Sequence, residues 1–437
     1  MNFAADNRSN QSKNPYLWLS IILFLGLLLR IYLGTLVAYE GDFRTWIGWG
    51  LGLEKVGFTN FYDNYWCDYM PGYLYVLWFM TELSSWAPWL SEYVLFKLPA
   101  NLADLGISIL IFIVLRPIAN TRLAIIAAVV YFFNPAVLSN STLWGQVDSF
   151  HAFPILLSIV LALRRHYMLC GLFAALAFMI KPQTIVLFPI VGFIALKPFF
   201  NPQNRWRINN FIPGIKIVAV VILTCTIVAL PFIWDKFDSI FYIFTGPIEL
   251  IIQRFNSAYG QYEYASLNTF NFWGVFAMWQ NDGTQFLGLS YRHWGTTIFA
   301  AFYFIIFVCL FRYRIKSNKN NKEYQYLIFQ AVTLILFSLF LFVTRAHERH
   351  LLPAFAFFTL IMFRTWIFPY LYAIVSGVYA CNMVYSYLQL NSEYSAVPGN
   401  VQKILIPIMF GLYALAFGIV FINFVYNTLK KQSLDSS

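Results

Sequence analysis

The chain has 437 residues, of which 60% are hydrophobic, 20% aromatic and only 11% charged, against about 25% charged in a soluble protein. That balance excludes a soluble domain, and the net charge of +10 is not a nucleic-acid signal, because many basic residues mark loops on one side of a membrane. Apolar runs of roughly 20 residues recur along the whole chain and predict an all-α polytopic membrane protein, a single integral-membrane domain over 1–437.

Twelve spans are expected in chain order, near 17–37, 93–115, 122–140, 150–163, 167–180, 183–197, 213–234, 294–311, 324–343, 351–363, 366–388 and 403–428. Several central ones are short for a bilayer about 30 Å thick, which suits tilted, broken or re-entrant segments. The polar start precedes a span with no small-residue cleavage site, so 17–37 reads as a retained first span after a cytosolic tail, 1–16. A second cytosolic tail is expected over 429–437. The stretch Pro71–Leu90 carries Glu82, Ser84 and Ser85 among Trp and Tyr residues and reads as an interfacial helix. It belongs to a first external loop, 38–92; a second long external loop covers 235–293.

Charge sets the sides. Arg8, Lys13, Arg116, Arg122, Arg164, Arg165, Lys197, Arg205, Arg207, Lys316 and Lys319 share the side of the termini. Glu40, Asp42, Asp63, Asp68, Asp148, Glu263, Asp282 and Glu348 share the other. The positive-inside rule then places both termini in the cytosol. The scattered cysteines show no CxxC or metal-ligand spacing, which predicts neither a disulfide nor a cysteine metal site.

Four polar constellations fall on the extracytosolic side. The first is Tyr39–Arg44, "YEGDFR", where Glu40 and Asp42 sit as the chain leaves span 1. A carboxylate there can accept a proton from an incoming hydroxyl; a solvated loop mouth is the plain alternative. The second is "WGQVDS", where Gln146 and Asp148 suit hydrogen bonds to a sugar, or where Asp148 simply caps the next span. The third is "IKPQ", in which Lys181 stands on the side that the positive-inside rule disfavours, as an anion ligand or a snorkelling helix end. The fourth is Val343–Pro353, "VTRAHERHLLP". Its histidines, His347 and His350, are three apart with Glu348 beside the first, so the HExxH zinc-protease pattern is not met. Arg345 and Arg349, four apart, are expected to share a helical face, with His347 at its edge, and to grip a phosphate or a lipid headgroup.

Inside the spans, Arg30 and Asp104 are expected to pair as a structural tie, because charges at that depth face the bundle interior. The external stretch Asn256–Trp273, "NSAYGQYEYASLNTFNFW", offers aromatic faces and amides to a carbohydrate, or forms an aromatic membrane belt.

Taken together, the acidic site after span 1, "NPAVLSNSTLWGQVDS", "FMIKPQ" and "TRAHERHLLP" resemble the type-C integral-membrane glycosyltransferases over about residues 17–365. The resemblance is to bacterial proteins similar to the second mannosyltransferase of GPI-anchor synthesis, and more distantly to dolichyl-phosphate-glucose glucosyltransferases. It implies transfer of a single hexose, mannose or glucose-like, from a polyprenyl-phosphate sugar to a glycan, lipid or protein acceptor, with inversion. Asp42 matches the catalytic acid of the first external loop. Glu40, Gln146 and Asp148 stand as acceptor-orienting or alternative catalytic groups. Lys181, Arg345, His347 and Arg349 match segments bordering the donor phosphate. No cofactor is expected and a metal is not demanded, because the lipid phosphate is already a good leaving group. The implied setting is a bacterial inner membrane with a periplasmic site, the endoplasmic reticulum membrane being the alternative. A transporter or flippase of a lipid-linked saccharide, and a surface-polysaccharide polymerase or ligase, are the competing readings.

Overall fold

The computed structural model describes residues 15–196, 199, 207–236, 241–316 and 321–434. Arg8, Lys13, Lys197, Arg205 and Lys319, and most of the expected N-terminal tail, lie outside the described residues. The fold is a polytopic α-helical bundle. Among the described residues eight helices are long and apolar enough to cross a membrane, and four shorter apolar helices, 148–163, 167–180, 182–195 and 352–361, accompany them.

The α-helices of the described residues, in chain order, are α1 (Pro15–Gly34), α2 (Glu40–Asn64), α3 (Pro71–Trp86), α4 (Glu92–Ile118), α5 (Thr121–Phe132), the single turn α6 (Pro135–Val137), α7 (Asp148–Leu163), α8 (Tyr167–Ile180), α9 (Phe188–Ala195) and α10 (Ile212–Ala229). There follow α11 (Tyr242–Gly260), α12 (Tyr291–Lys316), α13 (Asn321–Phe342), α14 (Leu352–Ile361), α15 (Phe368–Asn391) and α16 (Gly399–Leu434). The segment expected as a C-terminal tail therefore continues α16 as far as Leu434.

Helix starts follow local chemistry. Asn120 accepts a hydrogen bond from the Leu123 amide at 2.9 Å to open α5, and Ser91 accepts from the Tyr93 amide at 3.2 Å to open α4, each satisfying an orphan donor of the first turn. Asp148 departs from expectation. It is the first residue of α7 and caps nothing, because its carboxylate is taken up elsewhere. The segment 38–92, expected as the first external loop, is largely helical: α2 and α3 pack on each other, and α3 also packs on α8. Gly57, at φ +72°, breaks α2 in its middle, a conformation that costs a residue without Cβ little. The second long loop folds as α11 and two short ladders. β1 (Ser266–Leu267) pairs in parallel with β4 (Ala346–His347), and β2 (Gln285–Phe286) forms a hairpin with β3 (Leu289–Ser290). The α11 segment carries Ile248 and Ile252 exposed, an apolar face suited to a membrane interface.

The helices alternate in direction. Lys97, near the start of α4, reaches the Gly34 carbonyl at the end of α1. At the opposite end of the same pair the Arg116 guanidinium lies 5.1 Å from the Tyr16 ring. The ends of α1, α8 and α13 and the starts of α4, α7 and α14 thus meet at one end of the bundle.

Arg30 and Asp104 form the expected pair at 2.8 Å, both buried. Arg30 also donates to Asn101, Ser141 and Thr142 at 3.1–3.2 Å and to the Phe132 carbonyl. A buried ion pair survives only when most of its remaining donors and acceptors are met, and here the two terminal nitrogens of Arg30 are met while Nε is not. Arg30→Met is expected to destabilise the detergent-purified protein by about 3–5 kcal/mol, with much of that loss recovered in Arg30→Met/Asp104→Leu. Thermal melting of both variants decides; equal melting of the single variant and the wild type would remove the tie.

Candidate active site

Residues 134–148 gather the site from below. Asn134 begins α6, accepting from the Ala136 amide, and its side-chain amide donates to Tyr372 and Ser376 of α15 at 2.7 and 2.8 Å. A π-helical turn, Leu138–Trp144, follows. It ends at Gly145, whose φ of +91° lets the Gly145 and Gln146 amides both return to the Asn140 carbonyl, at 3.0 and 2.9 Å. The turn aims Trp144 and Gln146 at the first turn of α2. There Asp42 Oδ2 accepts from Trp144 Nε1 at 2.9 Å and from Gln146 Nε2. Arg349 Nη1 lies 4.0 Å from the same oxygen. Among the described residues Asp42 Oδ1 has no hydrogen bond, and the side chain is 28% exposed. Asp42 borders a cavity of about 380 Å³.

Asp148 and Lys181 form a second pair behind the first. Lys181 Nζ donates to Asp148 Oδ1, and Asn140 Nδ2 donates to Asp148 Oδ2 at 3.2 Å. The same Asn140 amide also donates to the Tyr379 hydroxyl at 3.0 Å, and that hydroxyl donates to the Arg349 carbonyl at 3.2 Å. Lys181 follows the last residue of α8, where a cation meets the negative end of the helix dipole. Its side chain lines the cavity.

The segment 344–351 is not a helix, which corrects the expectation that Arg345 and Arg349 share one face. Arg345 sits at φ +63°, and its neighbours form β4 and a turn. The two arginines accordingly diverge. Arg345 donates to Asp282 at 2.7 and 3.2 Å and to the Tyr259 carbonyl, with Glu263 at 3.5 Å. This bidentate contact pins the long connection between α10 and α12, although Arg345 still borders the cavity. Arg349 instead faces Asp42, held from behind by Glu348 at 2.9 Å. His347 lies edge-on to Tyr262 with ring centroids 5.0 Å apart, also at the cavity wall. Glu40 turns away. It bonds Arg44 at 2.8 Å on an exposed surface and accepts from Tyr93.

Electrostatics follow from burial. Burial opposes the charge on Arg349, but Asp42, Glu348 and Asp148 outweigh it and hold the guanidinium protonated. Burial raises Glu348 against the pull of Arg349. Burial, then Arg349 and Lys181, push His347 well below the ordinary imidazole value; burial, then Lys181 and Arg349, push His350 down to about 3. His350 Nδ1 accepts from the His347 amide at 3.3 Å, which leaves the proton on Nε2.

Asp68, which sequence reasoning placed only among the external acids, also lines the cavity. Burial raises its carboxyl, with Arg349 and Lys181 opposing and Asp42 reinforcing. Nothing in "YWCDYMPG" distinguishes it from a loop acid. The aromatic stretch 256–273 divides its labour. Tyr259 and Tyr262 face the cavity. Asn268, Asn271 and Trp273 are buried, and Trp273 Nε1 donates to the Phe342 carbonyl at 2.6 Å.

Fold and site together define a multi-pass membrane protein with a cavity at one end of its bundle, lined by apolar and aromatic residues with a few charged groups among them. A family model described as PIG-U, GPI transamidase subunit PIG-U, matches residues 51–253, somewhat under half of the chain. The chain is thus similar, in that segment, to a subunit of a GPI-anchoring complex. The match gives no direct support to the mannosyltransferase-like group that the motifs resemble, and it spans Gln146, Asp148 and Lys181 but neither Asp42 nor Arg349. No curated protein matches the chain.

The neutral histidines carry a pH consequence. Below about pH 6.5 the unfolded chain protonates both rings while the folded chain refuses the protons, so stability falls as pH drops from that value toward the folded values. Glu348, raised by burial, acts in the opposite sense. His350→Gln is therefore expected to flatten the loss of stability between about pH 6.5 and 5.5, by up to about 1.4 kcal/mol per pH unit for one proton. Melting temperatures across that window test it; slopes identical to wild type would show that His350 is not held neutral.

Proposed function

We propose that the protein is a glycosyltransferase that moves one hexose, mannose or glucose-like, from a polyprenyl-phosphate sugar to an extracytosolic glycan, lipid or protein acceptor. The observation that carries this reading is the Asp42 carboxylate. One oxygen is fixed by Trp144 and Gln146, and the carboxylate borders a cavity that also holds Arg349 and Lys181. A general base needs that combination: one oxygen fixed for aim and the other free for the incoming proton.

The donor's phosphate enters the end of the cavity where Arg349 and Lys181 lie. The acceptor hydroxyl approaches Asp42 Oδ1 and gives it the proton. Its oxygen bonds to the anomeric carbon as the bond from that carbon to the phosphate oxygen breaks, from the opposite face, so the configuration inverts. Arg349 and Lys181 stabilise the charge that gathers on the departing phosphate. Trp46, Trp49 and Tyr262 supply ring faces for the sugar. The bundle end that bears the cavity faces away from the cytosol, as the charge distribution along the chain indicates.

A second reading rests on the family match and on one feature of the site. Lys181, Arg345 and Arg349 each already hold a carboxylate. A non-catalytic subunit that binds a glycolipid headgroup, similar to the GPI transamidase subunit, would need the cavity without the base.

Asp42→Asn is expected to leave a folded, membrane-inserted protein and to reduce sugar transfer by about 10²–10⁴-fold. The assay supplies purified protein with a panel of polyprenyl-phosphate sugars and detects released polyprenyl phosphate. Absence of release with every donor, by a wild-type protein that still binds the lipid sugar, would favour the binding reading. Arg349→Ala is expected to raise KM for the donor by at least about tenfold, the scale of one charge-assisted phosphate contact. Unchanged donor kinetics would remove its phosphate role.

A further inference from the structure

One buried cation beside the site is used by neither the motifs nor the proposed chemistry. Lys97 lies in the first turns of α4 and is 1% exposed. No carboxylate lies within ion-pairing distance of it among the described residues. Its ammonium instead donates to four backbone carbonyls: Gly34 at 2.8 Å, Val37, Thr142 at 3.1 Å and Leu143 at 3.2 Å. These oxygens come from two places. Gly34 closes α1 and Val37 belongs to the short link from α1 into α2. Thr142 and Leu143 belong to the last turn of the π-helical segment. The last carbonyls of a helix have no intrahelical donor and form the negative end of its dipole. Two such ends converge on one ammonium.

The two segments so joined are the ones that build the Asp42 contact. Two residues after Val37 comes Tyr39, whose amide donates to the Trp144 carbonyl at 3.3 Å; α2 and Asp42 follow. Directly after Leu143 come Trp144 and Gln146, the donors to Asp42. Gly145, between those donors, is shaped to the same lysine. A Cβ built on it would meet Lys97 Cε at 2.9 Å. Further along α4, Asn101 accepts from the Thr142 hydroxyl at 2.7 Å and Asp104 from the Ser141 hydroxyl at 2.5 Å, so one face of α4 grips the whole turn.

We infer that Lys97 is a positioning residue for Asp42: its ammonium, held by carbonyls from both sides, fixes the carboxylate-bearing link against the turn that carries the carboxylate's two donors. The inference rests on Asp42 being the base. Lysine suits the place because its compact ammonium points three N–H bonds at several carbonyls, whereas the planar arginine fork matches carboxylates and phosphates. A neutral residue of the same length takes the ammonium's donors away from these carbonyls, two of which, on Gly34 and Thr142, are in fully buried contacts. Asp42 and its donors then separate, while the phosphate-facing groups Arg349 and Lys181, held by Glu348 and Asp148, stay in place. The defect therefore falls on turnover and not on donor capture.

The test uses the full-length purified protein in the polyprenyl-phosphate-sugar assay, with Lys97→Met, Lys97→Arg, Gly145→Ala and Asp42→Asn run side by side. Lys97→Met is expected to lower kcat at least tenfold with KM for the donor within about threefold of wild type, the pattern of a lost transition-state alignment. Lys97→Arg is expected to restore part of kcat, because the charge returns without the compact shape. Gly145→Ala, which presses on the same lysine from the opposite side and strains a left-handed residue, is expected to show the same split in a milder form, and it serves where Lys97→Met fails to fold. If Asp42→Asn is inactive while Lys97→Met, or Gly145→Ala in its place, keeps wild-type kcat, the positioning role is overturned and the base assignment stands. If Asp42→Asn transfers sugar normally, the base assignment falls and the positioning role falls with it. A rise in donor KM equal to the fall in kcat/KM, with kcat unchanged, would make Lys97 part of donor binding and would also overturn the inference.

Discussion

A backbone polar group or a charge inside a bilayer has no water to turn to, and each one left without a partner costs several kcal/mol. The segment 134–148 is organised by that constraint. It breaks the helical register with a π turn at the level of the bundle's end, and most of the polar groups there are collected by other helices, Asn140 Oδ1 and Gln146 Oε1 excepted. Arg30 of α1 takes Ser141 and Thr142. Lys97 of α4 takes the Thr142 and Leu143 carbonyls. Tyr379 and Asp148 take Asn140, and Asp42 takes Trp144 and Gln146. The irregular segment is tolerated because it is the point where α1, α2, α4, α7 and α15 are tied together, and the cavity inherits its geometry from those ties.

Opposite charges meet in the site in a graded way. Lys181 and Asp148 are a closed pair, almost wholly buried. Arg345 and Asp282 are a bidentate brace for the long connection between α10 and α12. Arg349 is held by Glu348 but stands 4.0 Å from Asp42, too far for a direct hydrogen bond and close enough to be shared with a ligand. The arginine nearest Asp42 is thus anchored on one edge and open on the other. That is an arrangement suited to an anionic group of low charge, since the surrounding carboxylates already neutralise much of the positive field.

Much of this architecture could be read from the residues, and the parts that could not have physical reasons. The twelve expected apolar segments all fall on helices, because long apolar runs have one stable form in a membrane. Eight reach the length of a full crossing, and the other four are shorter apolar helices that fall below it. The Arg30–Asp104 tie was legible because two isolated charges in apolar surroundings have little other choice. The paths of Arg345 and Arg349 were not, since helical spacing was assumed where Arg345 adopts a left-handed backbone and β4 pairs with β1. That pairing joins segments about eighty residues apart, a distance over which local pattern carries no signal. The convergence of Asp42 with Gln146 and Arg349 follows from the motifs only once their common side is granted. Asp68 and Lys97 escaped notice for opposite reasons, one looking like an ordinary loop acid and the other like an ordinary snorkelling lysine.

The break at Gly57 separates two jobs along one helix. The half of α2 before it is fastened to the bundle through Asp42 and Phe43. The half after it leans on the end of α10, where the Thr59 hydroxyl donates to the Pro231 carbonyl at 3.0 Å. A continuous rod would transmit any tilt of its outer end straight to the carboxylate. A joint with no side chain absorbs that tilt instead, so the half beyond it, none of whose residues lines the cavity, is free to be reshaped by insertion or substitution without disturbing the aim of the carboxylate.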